Sequence, residues 1–180
     1  MGQTQSVWHF GAVSNASRNP SPSKCSIPGG SASASTSVVA IDGDIRKMAR
    51  ASGACRRLMS IPGVGQLTAL AFTAAVDDPR RFRRSRDIGA YLGLVPRRYQ
   101  SGEVDYTGGI SKCGDRQVRT LLYEAANVML TRYKGPLKLK AWALAIANRS
   151  TMRKARIALA RRLAIIMHAM LRHGTEFSPV

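Results

Sequence analysis

The stretch from about Met152 to Arg172 constrains this chain more than any other. Ile157, Ala160, Leu163, Ala164, Met167 and Leu171 recur at helical spacing, which puts them on one face of a long α-helix. A helix with a single apolar stripe has to bury it, and the rest of the chain offers mostly further helices as partners. Val118, Leu121, Leu122, Ala125, Val128 and Met129 form a second stripe, with Asp115 placed as the N-cap. Gly135-Pro136 breaks that helix, and another covers about Leu139 to Asn148. Upstream, Ile41, Ile45 and Met48 share one helical face, and an Ala- and Leu-rich helix runs to about Val76. Asp77-Asp78 reads as a turn or helix start, and Ser85 as the N-cap of a short helix that ends at Gly93. The expected fold class is mainly α.

Two stretches do not fit that pattern. Residues 1–38 are rich in Ser, Pro and Gly, lack periodicity and are expected to be disordered, because they cannot bury enough apolar surface to offset ordering entropy. They are also read as a junctional or out-of-frame segment ahead of a domain spanning 39–180. The second stretch begins at Pro96: "RRYQSGEVDYTGGISKCGD" is glycine-rich and far longer than a helix connection needs to be. It is expected to be a long loop, with room for short strands around Tyr99–Tyr106.

Charge narrows the partners. Lys and Arg total 28 against 10 Asp and Glu, a net charge of +18. Such an imbalance attracts polyanions, nucleic acid first and an anionic membrane surface second. There is no run of apolar residues long enough to span a bilayer and no secretory h-region, so a cytoplasmic, nucleoid-associated location is expected. Cys25, Cys55 and Cys113 are widely spaced, without a zinc-binding pattern. No acidic cluster suited to two Mg²⁺ ions is visible, so no metal or other cofactor is expected in this chain.

Several motifs suit phosphate. Within about 54–76, "IPGVG" joins two helices in the manner of a helix-hairpin-helix, and the backbone N–H groups of Gly63, Val64 and Gly65 would meet a DNA phosphate. The same sequence also serves as a tight turn between core helices. "PRRFRRSR", Pro79 to Arg86, is either a solvated face or a backbone-contact patch. No aromatic array suited to stacking single-stranded bases is evident, which argues against a single-strand platform. The last helix, with Arg153, Lys154, Arg156, Arg161, Arg162 and Arg172, has the pattern of a nucleic-acid or a membrane-surface helix, and His168 reads as a packed core residue. Two loop serines are nucleophile candidates: Ser101, close in sequence to Arg97 and Arg98, and Ser111, followed by Lys112 and then by Arg116 and Arg119. Either could equally be an ordinary turn residue.

"IPGVG", "AYLGLVPRRYQSG" and "GGISKCGDRQVRTLL" in this order resemble the C-terminal domain of the IS-one-ten/IS-one-sixteen family of insertion-sequence transposases, over roughly Ile41 to Phe177. The resemblance implies a DNA recombinase that cuts and rejoins strands through a serine. It also implies an N-terminal RuvC-like domain that carries an acidic Mg²⁺ site, and a structured guide RNA. Carried over by motif, Ser101 is the expected nucleophile and Ser111 the second choice. The acidic domain has no counterpart here, so the chain is expected to be a truncated transposase, inactive alone. It would bind DNA without a membrane, as a homo-oligomer or in mixed assembly with full-length transposase. Thr107-Gly108-Gly109 departs from relatives that carry an arginine after the glycine. A binding module without chemistry is the rival expectation.

Overall fold

A computed structural model describes residues 31–178, with side chains from Val39 onward; the expected disorder of residues 1–30 lies outside the described residues. The chain runs α1 (Ser31–Ala51), α2 (Gly53–Leu58), α3 (Gln66–Val76), a 3₁₀ turn (Pro79–Arg81) and α4 (Asp87–Tyr91). It continues with β1 (Pro96–Ser101), β2 (Val104–Ile110), α5 (Arg116–Thr131), α6 (Lys138–Arg149) and α7 (Met152–His173). The mainly α expectation stands.

Helix α7 is the spine, packing against α5, α6 and α4. Leu159, Leu163, Ala164 and Met167 on α7 and Leu122, Ala125, Ala126 and Met129 on α5 are buried, joined by Phe72, Leu58 and Ile88. Each such large side chain contributes about 1.5–3 kcal/mol relative to exposure. The ends of α7 follow from local chemistry. Thr151 caps its start by accepting from Lys154 N at 3.3 Å, and Gly174 stops it with φ +68°. Asp115 caps α5 as expected, its Oδ1 accepting from Gln117 N at 2.6 Å and Val118 N at 3.2 Å. Asp78 Oδ1 likewise accepts from Arg80 N at 2.8 Å to start the 3₁₀ turn.

Four sequence expectations need correction. Helix α1 begins at Ser31, ahead of the boundary drawn at residue 39. Alanines 32, 34 and 40 favour a helix, and residues 31–38 carry no apolar period that would signal it in the sequence. On the same helix Ile41 and Met48 are exposed, at 59% and 62%, while Ala49 is fully buried. The inward face is therefore rotated from the one the large side chains marked, because a small residue lets α1 approach α2 and α3 closely. Ser85 does not cap α4, whose N-cap position is Arg86; the Ser85 hydroxyl lies 3.0 Å from His168 Nδ1 instead. Finally, the strands given room around Tyr99–Tyr106 do form, but they extend over much of the glycine-rich loop as an antiparallel hairpin, β1 paired with β2 from Pro96↔Ile110 to Ser101↔Val104. Its tyrosines, Val104 and Thr107 suit a pleated surface, and a two-residue turn at Gly102-Glu103 closes it, with φ +56° at Gly102.

Candidate nucleic-acid interface

The hairpin stands out from the helical body: β1 is exposed throughout and β2 nearly so. Alternation along the paired strands puts Tyr99, Ser101, Val104 and Tyr106 on one face and Arg98, Gln100, Asp105 and Thr107 on the other. On the first face Tyr99 and Tyr106 stack, with ring centroids 4.9 Å apart. On the second, Arg98 grips Asp105 with two bonds, Nε to Oδ1 at 3.0 Å and Nη2 to Oδ2 at 2.5 Å. That contact holds the Asp105 carboxyl below its usual range and raises the Arg98 guanidinium. Ser101 is exposed beside the turn, and among the described residues its hydroxyl makes no hydrogen bond. Arg97 is exposed too, its Nη1 donating to the Tyr99 hydroxyl at 3.5 Å.

Ser111 sits at the other end of the hairpin. At about 3.3 Å of rise per residue, the ladder from Pro96 to Ser101 separates the tip from the root by roughly 16 Å. The two candidate serines and their cations are therefore not brought together. The root is a backbone crossing. Ser111 N donates to Val95 O at 2.8 Å and Lys112 N to Gly93 O at 3.1 Å. Gly93 (φ +67°) and Gly114 (φ +80°) pass so near the opposing chain that a β-carbon on either would collide with backbone. Lys112 adopts φ +58° here, and Arg116 is exposed at the start of α5. Arg119, expected to hold phosphate, also reaches back with one nitrogen: its Nη1 donates to Leu92 O at 3.0 Å and Cys113 O at 3.1 Å. A guanidinium carries five donors in a fixed fork, which suits it to tying carbonyls of two segments together.

In the turn between α2 and α3, the three expected phosphate donors separate. Gly63 has φ +89°, and a β-carbon there would lie 2.6 Å from Ala125 O, so this glycine lets the turn seat against α5. Val64 is buried. Gly65 alone is exposed, at the N-cap of α3, where the first helical N–H groups lie open.

The arginine run is anchored from below. His168 is fully buried, with Nδ1 3.0 Å from Ser85 Oγ and Nε2 3.0 Å from Pro79 O. Phe82 packs edge-on against both His168 and Tyr91, and Arg172 Nη1 donates to Arg83 O at 2.9 Å. Burial pushes the His168 imidazole below its usual range, against the opposing pull of the Pro79 carbonyl. This anchoring leaves Arg80, Arg81, Arg83, Arg84 and Arg86 pointing to solvent. Sequence reasoning missed Trp142, 39% exposed on α6, with the Arg162 guanidinium 5.6 Å from its ring. The two lie on different helices, so no spacing within one element could have paired them.

Among the described residues no group of three His, Cys, Asp or Glu side chains is placed to hold a metal ion. No helix among them is long and apolar enough to cross a membrane.

The family described as Transposase IS116/IS110/IS902 matches residues 55–143. The transposase for insertion sequence element IS1111A of Coxiella burnetii is 42% identical over 129 residues, covering 71% of this chain and 35% of that protein. The transposase for insertion sequence element IS1328 of Yersinia enterocolitica is 37% identical over 124 residues, 68% of this chain and 37% of its own. A probable family 20 transposase of Pseudomonas aeruginosa is 31% identical over 143 residues, 79% of this chain and 42% of its own. The chain spans less than half the length of each of these relatives. The matched stretch holds the α2–α3 turn, the arginine run, the whole hairpin and α5, and residues 55–143 of this chain belong to the IS116/IS110/IS902 transposase family.

Proposed function

We propose that this chain is the serine domain of an insertion-sequence transposase, with Ser101 as the nucleophile toward a DNA phosphodiester. The observation that carries the reading is an uncommitted, exposed hydroxyl at the end of β1, beside the two-residue turn, where a strand's backbone can reach it. In the reaction the Ser101 Oγ–P bond forms and the bond from phosphorus to the departing deoxyribose oxygen breaks. The serine proton passes to a base, and the departing oxygen gains a proton. His168 is not that base, because it is buried and both of its ring nitrogens are occupied. The base and the metal-binding carboxylates belong, in this reading, to a RuvC-like domain working alongside.

Binding rests on the exposed arginines of Pro79–Arg86, on Lys112 and Arg116, and on the open N–H groups beginning at Gly65. The net charge of +18 suits a guide RNA as well as DNA. Assembly with further copies of the transposase would bring several such surfaces to one synapse.

A second reading, binding without chemistry, draws on the hairpin itself. Arg98 is engaged by Asp105, and Ser101 shares its face with Tyr99, Val104 and Tyr106 rather than with a cluster of cations. Serine variants in a protein that also carries the RuvC-like domain separate the two. Ser101→Ala is expected to abolish strand transfer while leaving duplex binding within about twofold, and Ser111→Ala to retain transfer. Strand transfer by the Ser101→Ala protein would remove Ser101 from the mechanism and leave the binding reading. The present chain alone, given DNA and Mg²⁺, is expected to form no covalent adduct.

A further inference from the structure

Away from the hairpin tip, a groove of about 930 Å³ opens between the hairpin root, α6 and α7. Its floor is apolar, built from Leu94, Ile157, Ala158 and Ile165, with Trp142 at one side. Four cations surround it: Arg86, Lys154, Arg161 and Arg162. None of its lining residues is acidic, and none of these cations takes part in an ion pair among the described residues. Gathering four positive charges around one opening without a counter-charge costs stability through self-repulsion, which a bound polyanion would relieve. The wall opposite α7 is Thr107-Gly108-Gly109, and a β-carbon at Gly109 would meet no atom within 4 Å. That wall leaves room for a flat group to enter.

An apolar floor, an indole and a cationic rim match a polymer that alternates flat rings with phosphates. A duplex hides its ring faces in the stack, so the matching form is an unpaired strand. Thr107 supplies the one hydroxyl side chain of the lining, and the choice of deoxyribose over ribose follows from the DNA substrate of the proposed function. We infer that this groove binds a single-stranded DNA segment, one unstacked base seated on the floor beside Trp142 and the flanking phosphates on Arg86, Lys154, Arg161 and Arg162. The inference rests on the proposed DNA reading for the choice of polymer. It departs from the sequence expectation, which disfavours a single-strand platform, since the fold brings Trp142 to cations on another helix.

The test uses the full chain with Trp8→Phe, so that Trp142 is the sole tryptophan. Oligothymidylate, oligouridylate and a duplex of equal length are titrated at physiological salt. Oligothymidylate is expected to quench Trp142 emission and to bind more tightly than oligouridylate. Trp142→Ala, scored by anisotropy of labelled strand, should weaken oligothymidylate about tenfold with duplex affinity nearly unchanged. Gly109→Phe, whose β-carbon would meet no atom within 4 Å and which adds bulk to the other wall, should do the same and guards against a folding effect at position 142. Lys154→Ala should reduce the salt dependence of strand binding by about one phosphate contact. Unquenched emission, full affinity in Gly109→Phe, or oligouridylate binding as tightly as oligothymidylate would each overturn the inference. Duplex binding that survives such a result leaves the proposed function standing, whereas loss of both strand and duplex binding in the parent chain removes that reading as well.

Discussion

The hairpin arm and the α5–α7 body are built on opposite principles. In the body, side chains at helical spacing interlock out of water, so that Leu163, Met167, Leu122 and Met129 have no exposure at all. In the arm, β1 is exposed along its whole length, and what holds it is its own ladder, one tyrosine stack and one surface ion pair. A two-stranded ribbon is marginal by itself, so its shape depends on how the root is fastened to the body. Substitutions in the body should therefore register as stability, and substitutions in the arm as function.

Breaking the body gives the largest expected effect. Leu163→Ala should cost about 2–5 kcal/mol, read as a lower urea midpoint, since close packing leaves a cavity that its neighbours only partly fill. A loss below about 1 kcal/mol would mean that α7 is not the spine. Next comes the fastening between the two regions. Arg119→Ala removes charged donors to Leu92 O and Cys113 O and should cost about 1–3 kcal/mol. Arg119→Lys should restore only part of it, because a freely rotating ammonium replaces the rigid, planar pair of Nη1 hydrogens. Full rescue by lysine would show that charge rather than geometry matters there.

A smaller effect concerns the anchor under the arginine run. His168 is held below its usual range in the folded state, so below about pH 6.5 the unfolded chain takes up a proton that the folded chain refuses. Stability should fall as pH drops from about 7.5 to 5.5, and His168→Leu should flatten that slope while lowering stability throughout. A wild-type midpoint unchanged across that window would refute the burial-driven shift. Smallest of all, Ser101→Ala should leave the midpoint within about 0.5 kcal/mol, as expected for an exposed residue without a partner. A larger loss would place Ser101 in the structural fabric of the arm.

How much of this was readable in advance depended on the range of the interaction. The stripes of α5 and α7, the Asp115 and Asp78 caps and the stop at Gly93 follow from neighbours within a turn or two, and the sequence expressed them directly. Ile41 and Met48 misled because a helix can turn a small residue inward when close approach is worth more than a large side chain. Ser85 misled because its hydroxyl had a partner 83 positions away in His168, and local capping rules carry no information about such a contact. The candidate site was legible in residue type but not in arrangement. Gly63 and Arg119 read as phosphate ligands, and no local rule shows that the turn at Gly63 also seats against α5 or that Arg119 Nη1 also donates to carbonyls. Trp142 and Arg162 lie on different helices, and no spacing rule joins them.

The crossing at Gly93 and Gly114 has a mechanical consequence. Both legs of the hairpin enter the body through this one knot, so a tug on the tip is delivered to α4 and α5 together rather than to either alone. A side chain added at either glycine would therefore re-aim the whole arm at its base, however well the strands above stayed paired.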